Sequence, residues 1–481
     1  MKELLNFYID GQWTAPRGTD VAEVINPATG RPSGRIALGN EDDVDLAVSA
    51  ARRAFPHWAA TSRSERLDLL GNILFEYGRR AEELGDAVTE EMGAPRGFAG
   101  QVHVGLGVWH LQAAIELLKS FAFEEQRGLT VIRREPIGVC GLITPWNWPI
   151  NQVAVKIFPA IATGCTSILK PAQLAPYSAQ ILAEVLHAAG TPAGVFNLVQ
   201  GKGSVIGTAL SRHPNVDMIS FTGSEAVGVQ IQHDAAETIK RVGLELGGKS
   251  AWIVLDDASL PKHVATATAT MMSNSGQTCS AGSRLLVPRA RLDEAVAAAR
   301  AAAESVVVGD PAGNVAMGPV VSSAQFDTIQ KYIERGLAEG AELIAGGAGK
   351  PEGLTDGYFV KPTVFLGDNR MTVAREEIFG PVQVMIPYTD VDDAIAIAND
   401  SNFGLSGYVS GEDAGTAERV ARQMRTGSVA INGAFDIQAP FGGYKRSGNG
   451  REWGEYGFLE YLEVKAMVGA TADSALAGAQ G

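Results

Sequence analysis

With 481 residues, 46% hydrophobic and 20% charged, the chain is too long for one ordinary core and has the make-up of a soluble protein of two or three domains. Its net charge of −14 argues against nucleic acid as a partner, because phosphate is repelled over most of the surface. Three cysteines, Cys140, Cys165 and Cys279, without a C-x-x-C pair, support neither a disulfide framework nor a zinc or iron–sulfur site, and no metal is expected.

The opening "MKELLNFYIDGQW" has neither the apolar run nor the cleavage pattern of a signal peptide. No stretch reaches the roughly 18 apolar residues of a membrane span. A cytoplasmic protein without a membrane partner is expected. "EDDVDLAVSAARRAFPHW" starts with acids and continues at helical spacing, and "SERLDLLGNILFEYGRRAEEL" repeats that pattern. "LTVIRREPIG" reads as a strand. Then come short apolar runs ending in glycine or proline, "GVCGLITPWNWP", "TSILKPA", "VFNLVQG" and "MISFTGS", with helices such as "PYSAQILAEVLHAAG" between them. This rhythm predicts βαβ units, and strands without alternation predict a parallel sheet buried on both faces. After Gly247–Gly248 the style resumes with "RLLVP", the helix "RLDEAVAAARAAAESV", "AELIAGG", "KPTVFLG" and "VQVMIPYTD", which predicts a second α/β domain. "EYLEVKAMVGA" reads as a strand outside the rhythm, like "LTVIRREPIG", and the two are candidates for an association element. The tail "TADSALAGAQG" is small, polar and expected to be loosely held.

Several stretches carry chemistry. "ITPWNWP" holds Asn147 between two tryptophans and two prolines; such an asparagine is ordinarily a turn residue, but a rigid amide N–H also suits an oxyanion hole. "LKPAQ" puts Lys170 at a strand end, within reach of ribose hydroxyls or of solvent. "VQGKGSVIG" supplies Gly201, Gly203 and Gly207 without forming G-x-G-x-x-G. "FTGSEAVG" places Gly223 and Ser224 at a helix start, where backbone N–H groups suit a diphosphate. "LELGGKS" sets Glu245 between Leu244 and Leu246. That position suits a solvated strand end, or a partly buried carboxylate raised in pKa and fit to be a general base. "NSGQTCSAGSR" leaves the Cys279 thiol exposed among small residues. A lone cysteine is ordinarily a core residue, but this one has the access a nucleophile needs.

Taken together, "PWNWP", "LKPA", "FTGS", "ELGGKS", "GQTCSAGSR", "EEIFGPV" and "PFGGYKRSGNGRE" resemble the aldehyde dehydrogenase superfamily in its order and spacing, over roughly residues 5–465. The resemblance implies an α/β fold: a Rossmann-like parallel-sheet NAD(P)-binding domain (1–117 and 137–247), a second α/β catalytic domain (248–447), and a small β oligomerisation element with a C-terminal tail (118–136 and 448–481). It implies Cys279 as nucleophile, Glu245 as general base and Asn147 as oxyanion donor with the backbone N–H of Cys279. Lys156 and Glu452 match a proton path. Ile143, Trp146, Lys170, Gln173, Gly203, Gly207, Phe221, Thr222, Gly223, Ser224, Val227, Leu246, Glu377 and Phe379 match cofactor-binding positions. Trp148, Gln152, Val155 and Phe435 match the aldehyde tunnel. With two aromatics, an aliphatic and an amide but no arginine, these four suit a medium apolar or aromatic aldehyde and disfavour a dicarboxylic semialdehyde.

The implied reaction oxidises an aldehyde to a carboxylic acid through a thiohemiacetal and a thioester, which Glu245 clears by activating water. Coenzyme A acylation and an inactive binding scaffold are the alternatives. Gln173 stands where the family often has a glutamate that repels a 2′-phosphate, so use of both NAD and NADP, with NAD ahead, is expected. The C-terminal strand implies a homodimer or homotetramer, with Arg451 and Glu463 near the contact or simply solvated.

Overall fold

The structure, a computed structural model, describes residues 1–473 and 476; the last stretch of the tail thus lies mostly outside the described residues. Among those described, the short apolar runs form one side of a seven-stranded sheet. Its order is Arg241–Glu245, Met218–Thr222, Val139–Ile143, Thr166–Lys170, Phe196–Leu198, Phe7–Ile9 and Gln12–Thr14. The first five strands are parallel. Strands 139–143, 166–170 and 218–222 are buried along their whole length. Successive side chains point to opposite faces. Ile143 and Ile168 therefore pack with Val48 of the helix Glu41–Ala59, while Leu142 and Leu169 pack with Ile157 and Leu182 on the other face. That helix starts on a capping box made by Asn40 and Asp43.

The strand order reverses beside Val139–Ile143, which has Thr166–Lys170 on one side and Met218–Thr222 on the other. In an open α/β sheet the crevice at the carboxyl ends beside such a switch is where a ligand is received.

A second seven-stranded sheet runs Glu342–Ala345, Thr363–Leu366, Val382–Tyr388, Arg284–Pro288, Ala251–Val254, Ser406–Ser410 and Ser428–Ile431. It is parallel except for its first pair. The chain passes straight from Glu245, the last residue of one sheet, to Ala251, the first of a strand in the other. Carboxyl ends of the first sheet therefore face amino ends of the second, and the Cys279 loop precedes the amino end at Arg284.

The two strands read as lying outside the rhythm pair with each other. Thr130–Pro136 lies between Leu462–Val468 and Glu124–Arg127 in an antiparallel sheet. Arg451 and Glu463 are engaged within the chain: Arg451 donates to the Gly443 and Gly450 carbonyls, and Glu463 pairs with Arg241 at 2.8 Å.

The sequence reading does not anticipate the N-terminal strands. Lys2–Leu4, Val21–Asn26 and Arg31–Ala37 form a small sheet of their own. Runs of three, as in Lys2–Leu4 and the hairpin Phe7–Thr14, are too short to show period-two alternation. Among the described residues, no helix is long and apolar enough to cross a membrane.

Candidate active site

Asn147 and Cys279 come from different sheets and meet in the seam. The loop after Val139–Ile143 carries Asn147, whose amide nitrogen donates to the Gln277 carbonyl at 2.9 Å. The next side chain, Trp148, donates from Nε1 to Thr278 Oγ1 at 3.1 Å. An amide nitrogen has two hydrogens; one is held by Gln277, which fixes the plane in which the other is offered.

The loop before Cys279 is wound left-handed at three successive residues, Asn274, Ser275 and Gly276, with φ of 54°, 56° and 68°. Such a conformation costs a non-glycine residue about 1–3 kcal/mol. Here the surroundings hold it: Ser275 Oγ donates to the Gly318 carbonyl, and Gln277 Oε1 accepts from the Val321 N–H. A Cβ on Gly276 would lie 2.2 Å from the Gly380 carbonyl oxygen, so only glycine fits there. Past the cysteine, Arg284 is buried and donates to the carbonyls of Lys249, Ile397 and Ala398 and to Asn369 Oδ1. This guanidinium pins the outgoing end of the loop to the second sheet.

The thiol is less open than the sequence reading expects. Cys279 is half-buried. Burial, then the Glu377 and Glu245 carboxylates, push its pKa well above the ordinary thiol value. At neutral pH the sulfur therefore keeps its proton until a base takes it.

Glu245 is 3% exposed, and neither carboxylate oxygen has a partner. Burial, then the Glu452 carboxylate, hold its carboxyl well above the usual range. Its backbone is fixed on both sides: its carbonyl accepts from Gly223 N at 3.0 Å, and it bridges Gly448. The "PFGG" turn makes room for the side chain, since a Cβ on Gly442 would lie 2.8 Å from Glu245 Oε1. Beneath lies a cavity of about 10 Å³ shared by Glu245, Glu452, Ser220, Val155 and Tyr461, close to the space one water needs. Lys156, fully buried, donates to Glu452 and, at 2.9 Å, to Ser220 Oγ.

The positions expected to bind the cofactor lie around the crevice. Ile143, Lys170, Phe221 and Thr222 are at strand ends. Lys170 is buried, which pulls its ammonium down to about 8, and it donates to the Pro171 carbonyl. Gln173 is half-buried in the turn that follows. Gly203 is exposed, and a Cβ there meets nothing within 4 Å; one on Gly207 meets only Ile143, at 3.8 Å. Gly223 and Ser224 lead into the helix Glu225–Ala235, with Val227 exposed on its first turn and Leu246 packed against Gly228. Thr144 Oγ1 and Thr222 Oγ1 are buried without partners. Unpartnered hydroxyls, open glycines, a buried cation and a helix start suit a dinucleotide. Across the seam, Glu377 Oε1 accepts from Gly248 N at 2.9 Å, and burial raises its carboxyl to about 7. Phe379 meets Trp146 edge-on at 5.4 Å.

Next to Cys279 lies a vestibule of 320 Å³ lined by Ser280, Tyr408, Phe435, Asp436, Phe441 and Trp453, among others. Phe435 meets Trp453 at 5.9 Å and Trp109 at 6.2 Å. Of the four expected tunnel residues, Phe435 lines this vestibule. Trp148 is held against the Cys279 loop, Gln152 is buried with Oε1 unpartnered, and Val155 lies deeper, in cavities lined by Trp453 and by Glu245. Sequence reasoning missed Trp109 and Tyr408, which come from distant segments, and Phe441 and Trp453, although these lie within and directly after "PFGGYKRSGNGRE". It also missed Asn274 and Gln277, although both stand in the stretch around Cys279.

Residues 13–467 match the model of the aldehyde dehydrogenase family. Over 473 residues the chain is 52% identical to a 3-succinoylsemialdehyde-pyridine dehydrogenase of Pseudomonas sp, covering 98% of this chain and 99% of that one. It superposes with a TM-score of 0.96 and 48% identity on a mutant of aldehyde dehydrogenase C from Pseudomonas syringae in complex with NAD+ and octanal, covering 97% of each chain. An aldehyde dehydrogenase from Bartonella henselae gives a TM-score of 0.95 at 41% identity, over 97% of this chain and 100% of that one.

Proposed function

The chain belongs to the aldehyde dehydrogenase family, and from that premise we propose that it oxidises medium-length apolar or aromatic aldehydes, using NAD ahead of NADP. The reaction is oxidation of an aldehyde to its carboxylic acid with NAD or NADP. We assign 1–117 and 137–247 to cofactor binding, 248–447 to catalysis, and 118–136 with 448–481 to association as a homodimer or homotetramer. The exposed Val464 and Val468 on the C-terminal strand support the last assignment, and light scattering on the purified enzyme checks it.

Cys279 Sγ loses its proton to solvent and adds to the carbonyl carbon as the thiolate. Asn147 and the Cys279 N–H receive the alkoxide; one such donor lowers the barrier by about 3–4 kcal/mol. When bound, the nicotinamide supplies the acceptor for the hydride expelled as the alkoxide collapses. Cys279 then carries a thioester. Glu245 takes a proton from water, which attacks the thioester and releases the acid and the thiol. Lys156 and Glu452 carry protons away from Glu245 past the one-water cavity. Aldehyde, water and oxidised cofactor give acid, reduced cofactor and one proton.

The observation that carries this reading is the meeting, in one seam, of an oriented amide at Asn147, a thiol at Cys279 and an unpartnered buried carboxylate at Glu245. Asn147→Ala is expected to lower kcat about 10²–10³-fold while cofactor binding, followed by fluorescence, is retained; an unimpaired kcat removes the oxyanion assignment.

The aromatic vestibule supports the substrate class, as do the pyridine-bearing semialdehyde and the octanal named for the two relatives. Octanal and phenylacetaldehyde are expected to exceed succinic semialdehyde in kcat/KM by at least about tenfold, the scale of one buried apolar contact or unpaired charge. A preference for the dicarboxylic semialdehyde contradicts the assignment. Gln173→Glu is expected to lower kcat/KM for NADP about tenfold by charge repulsion and to leave that for NAD little changed. Equal losses for both cofactors place residue 173 away from the 2′ position.

A further inference from the structure

We infer that His103 is a positioning residue for the oxyanion donor: its imidazole N–H holds Asn274, and Asn274 holds the backbone on both sides of the Asn147 amide. This rests on the assignment of Asn147 as that donor.

His103 ends a widened helical turn, Ala99–His103, inside a helix that otherwise runs from Arg96 to Ser120. The turn closes with an i to i+5 bond from Val104 N to the Ala99 carbonyl. Such turns interrupt a regular helix and are common at functional sites. The imidazole is fully buried. It stacks on Trp148 with ring centroids 4.3 Å apart and planes 21° apart, and Phe98 meets it edge-on at 5.4 Å. Its Nε2 lies 3.2 Å from Asn274 Oδ1.

The hydrogen-bond pattern fixes the proton. Asn274 Nδ2 faces two carbonyl oxygens, of Asn147 at 2.9 Å and of Gln277 at 3.3 Å, and only an amide nitrogen satisfies both. Its Oδ1 is therefore an acceptor, and His103 Nε2 carries the hydrogen. His103 Nδ1 is buried without a partner. Burial also pulls the ring's pKa down to about 3, so the imidazole is neutral throughout the working range.

The loop closes on itself. His103 donates to Asn274, Asn274 donates to the Asn147 and Gln277 carbonyls, and Asn147 Nδ2 donates to that same Gln277 carbonyl. Asn274 sits at φ 54°, a conformation asparagine tolerates better than most residues but does not prefer. Without the imidazole, Asn274 loses its buried donor and the left-handed turn loses a restraint. The amide of Asn147 then shifts relative to the developing alkoxide, and misplacement by about 1 Å can cost 10²-fold in rate.

The test is a double-mutant cycle read by reduced-cofactor absorbance. His103→Leu is expected to lower kcat about 10- to 100-fold with cofactor KM moving less than about threefold. His103→Gln, which retains an N–H, is expected to recover most of that loss. In an Asn147→Ala background, His103→Leu is expected to cost less than about threefold, because the group it positions is gone. The inference is overturned if His103→Leu retains full kcat, if His103→Gln folds yet is as impaired as the leucine variant, or if the cost is the same in the Asn147→Ala background. Should the leucine variant not fold, His103→Asn, too short to reach Asn274, takes its place in the same cycle. An unimpaired Asn147→Ala enzyme removes the oxyanion assignment itself; an impaired Asn147→Ala beside an unimpaired His103→Leu removes only the role of His103.

Discussion

Cys279→Ala is expected to reduce steady-state formation of NADH or NADPH by about 10⁴-fold or more, the scale at which losing a covalent nucleophile collapses catalysis. The size follows from the chemistry. An aldehyde cannot expel hydride unless a negative charge on its oxygen drives the collapse, and no second cysteine replaces the thiol: Cys140 and Cys165 are fully buried in the first sheet's core, away from the seam. Cofactor binding depends on other residues, so fluorescence titration of the variant is expected to give a Kd close to the parent's. A Cys279→Ala enzyme that keeps turnover with every aldehyde tried contradicts the mechanism, whereas one that loses cofactor binding as well reports a damaged fold.

Glu245→Gln separates the two halves of the reaction. Glutamine is of equal size and can occupy the space opposite Gly442, but it cannot take a proton. It also removes a carboxylate that helps push the Cys279 thiol upward. Thioester formation is therefore spared relative to hydrolysis. The expected record is a burst of about one reduced cofactor per site, followed by turnover slowed about 10²–10⁴-fold, the usual contribution of a positioned general base. In the parent enzyme Glu245 acts only when deprotonated, and its pKa lies above that of an ordinary carboxylate. Rate therefore climbs as pH rises through that raised pKa and falls away below it. Glu245→Gln is expected to flatten this acidic limb. A burst that disappears along with turnover shows instead that Glu245 is required for the first half as well.

Much of this organisation was legible in the amino-acid order. Parallel strands buried on both faces leave uninterrupted apolar runs, and "GVCGLI", "TSILK" and "MISFT" all became such strands. The resumption of the strand and helix pattern after Gly247–Gly248 marks where the chain passes from one sheet to the other, and the structure adds why glycine stands there: a Cβ on Gly248 would lie 2.5 Å from the Cys279 carbonyl oxygen. Cys279, Glu245 and Asn147 each suit an ordinary core, strand-end or turn residue when taken alone, and it is the combination of their stretches in one order and spacing that singles them out.

His103 did not stand out. A widened helical turn has no simple residue signature, and its partner Asn274 lies 171 residues away. Arg284 did not stand out either, because its acceptors on Lys249, Asn369, Ile397 and Ala398 are distant in sequence. The thiol looked open because its neighbours are small; small neighbours in fact let backbone pack close and half-bury it.

The most direct measurement is the mass of the peptide containing Cys279 from Glu245→Gln enzyme quenched after one burst with cofactor and octanal. The account predicts that this peptide gains the mass of one octanoyl group in place of a hydrogen, in proportion to the reduced cofactor formed, and loses it on treatment with hydroxylamine. Reduced cofactor formed in full while this peptide stays at its original mass would contradict it.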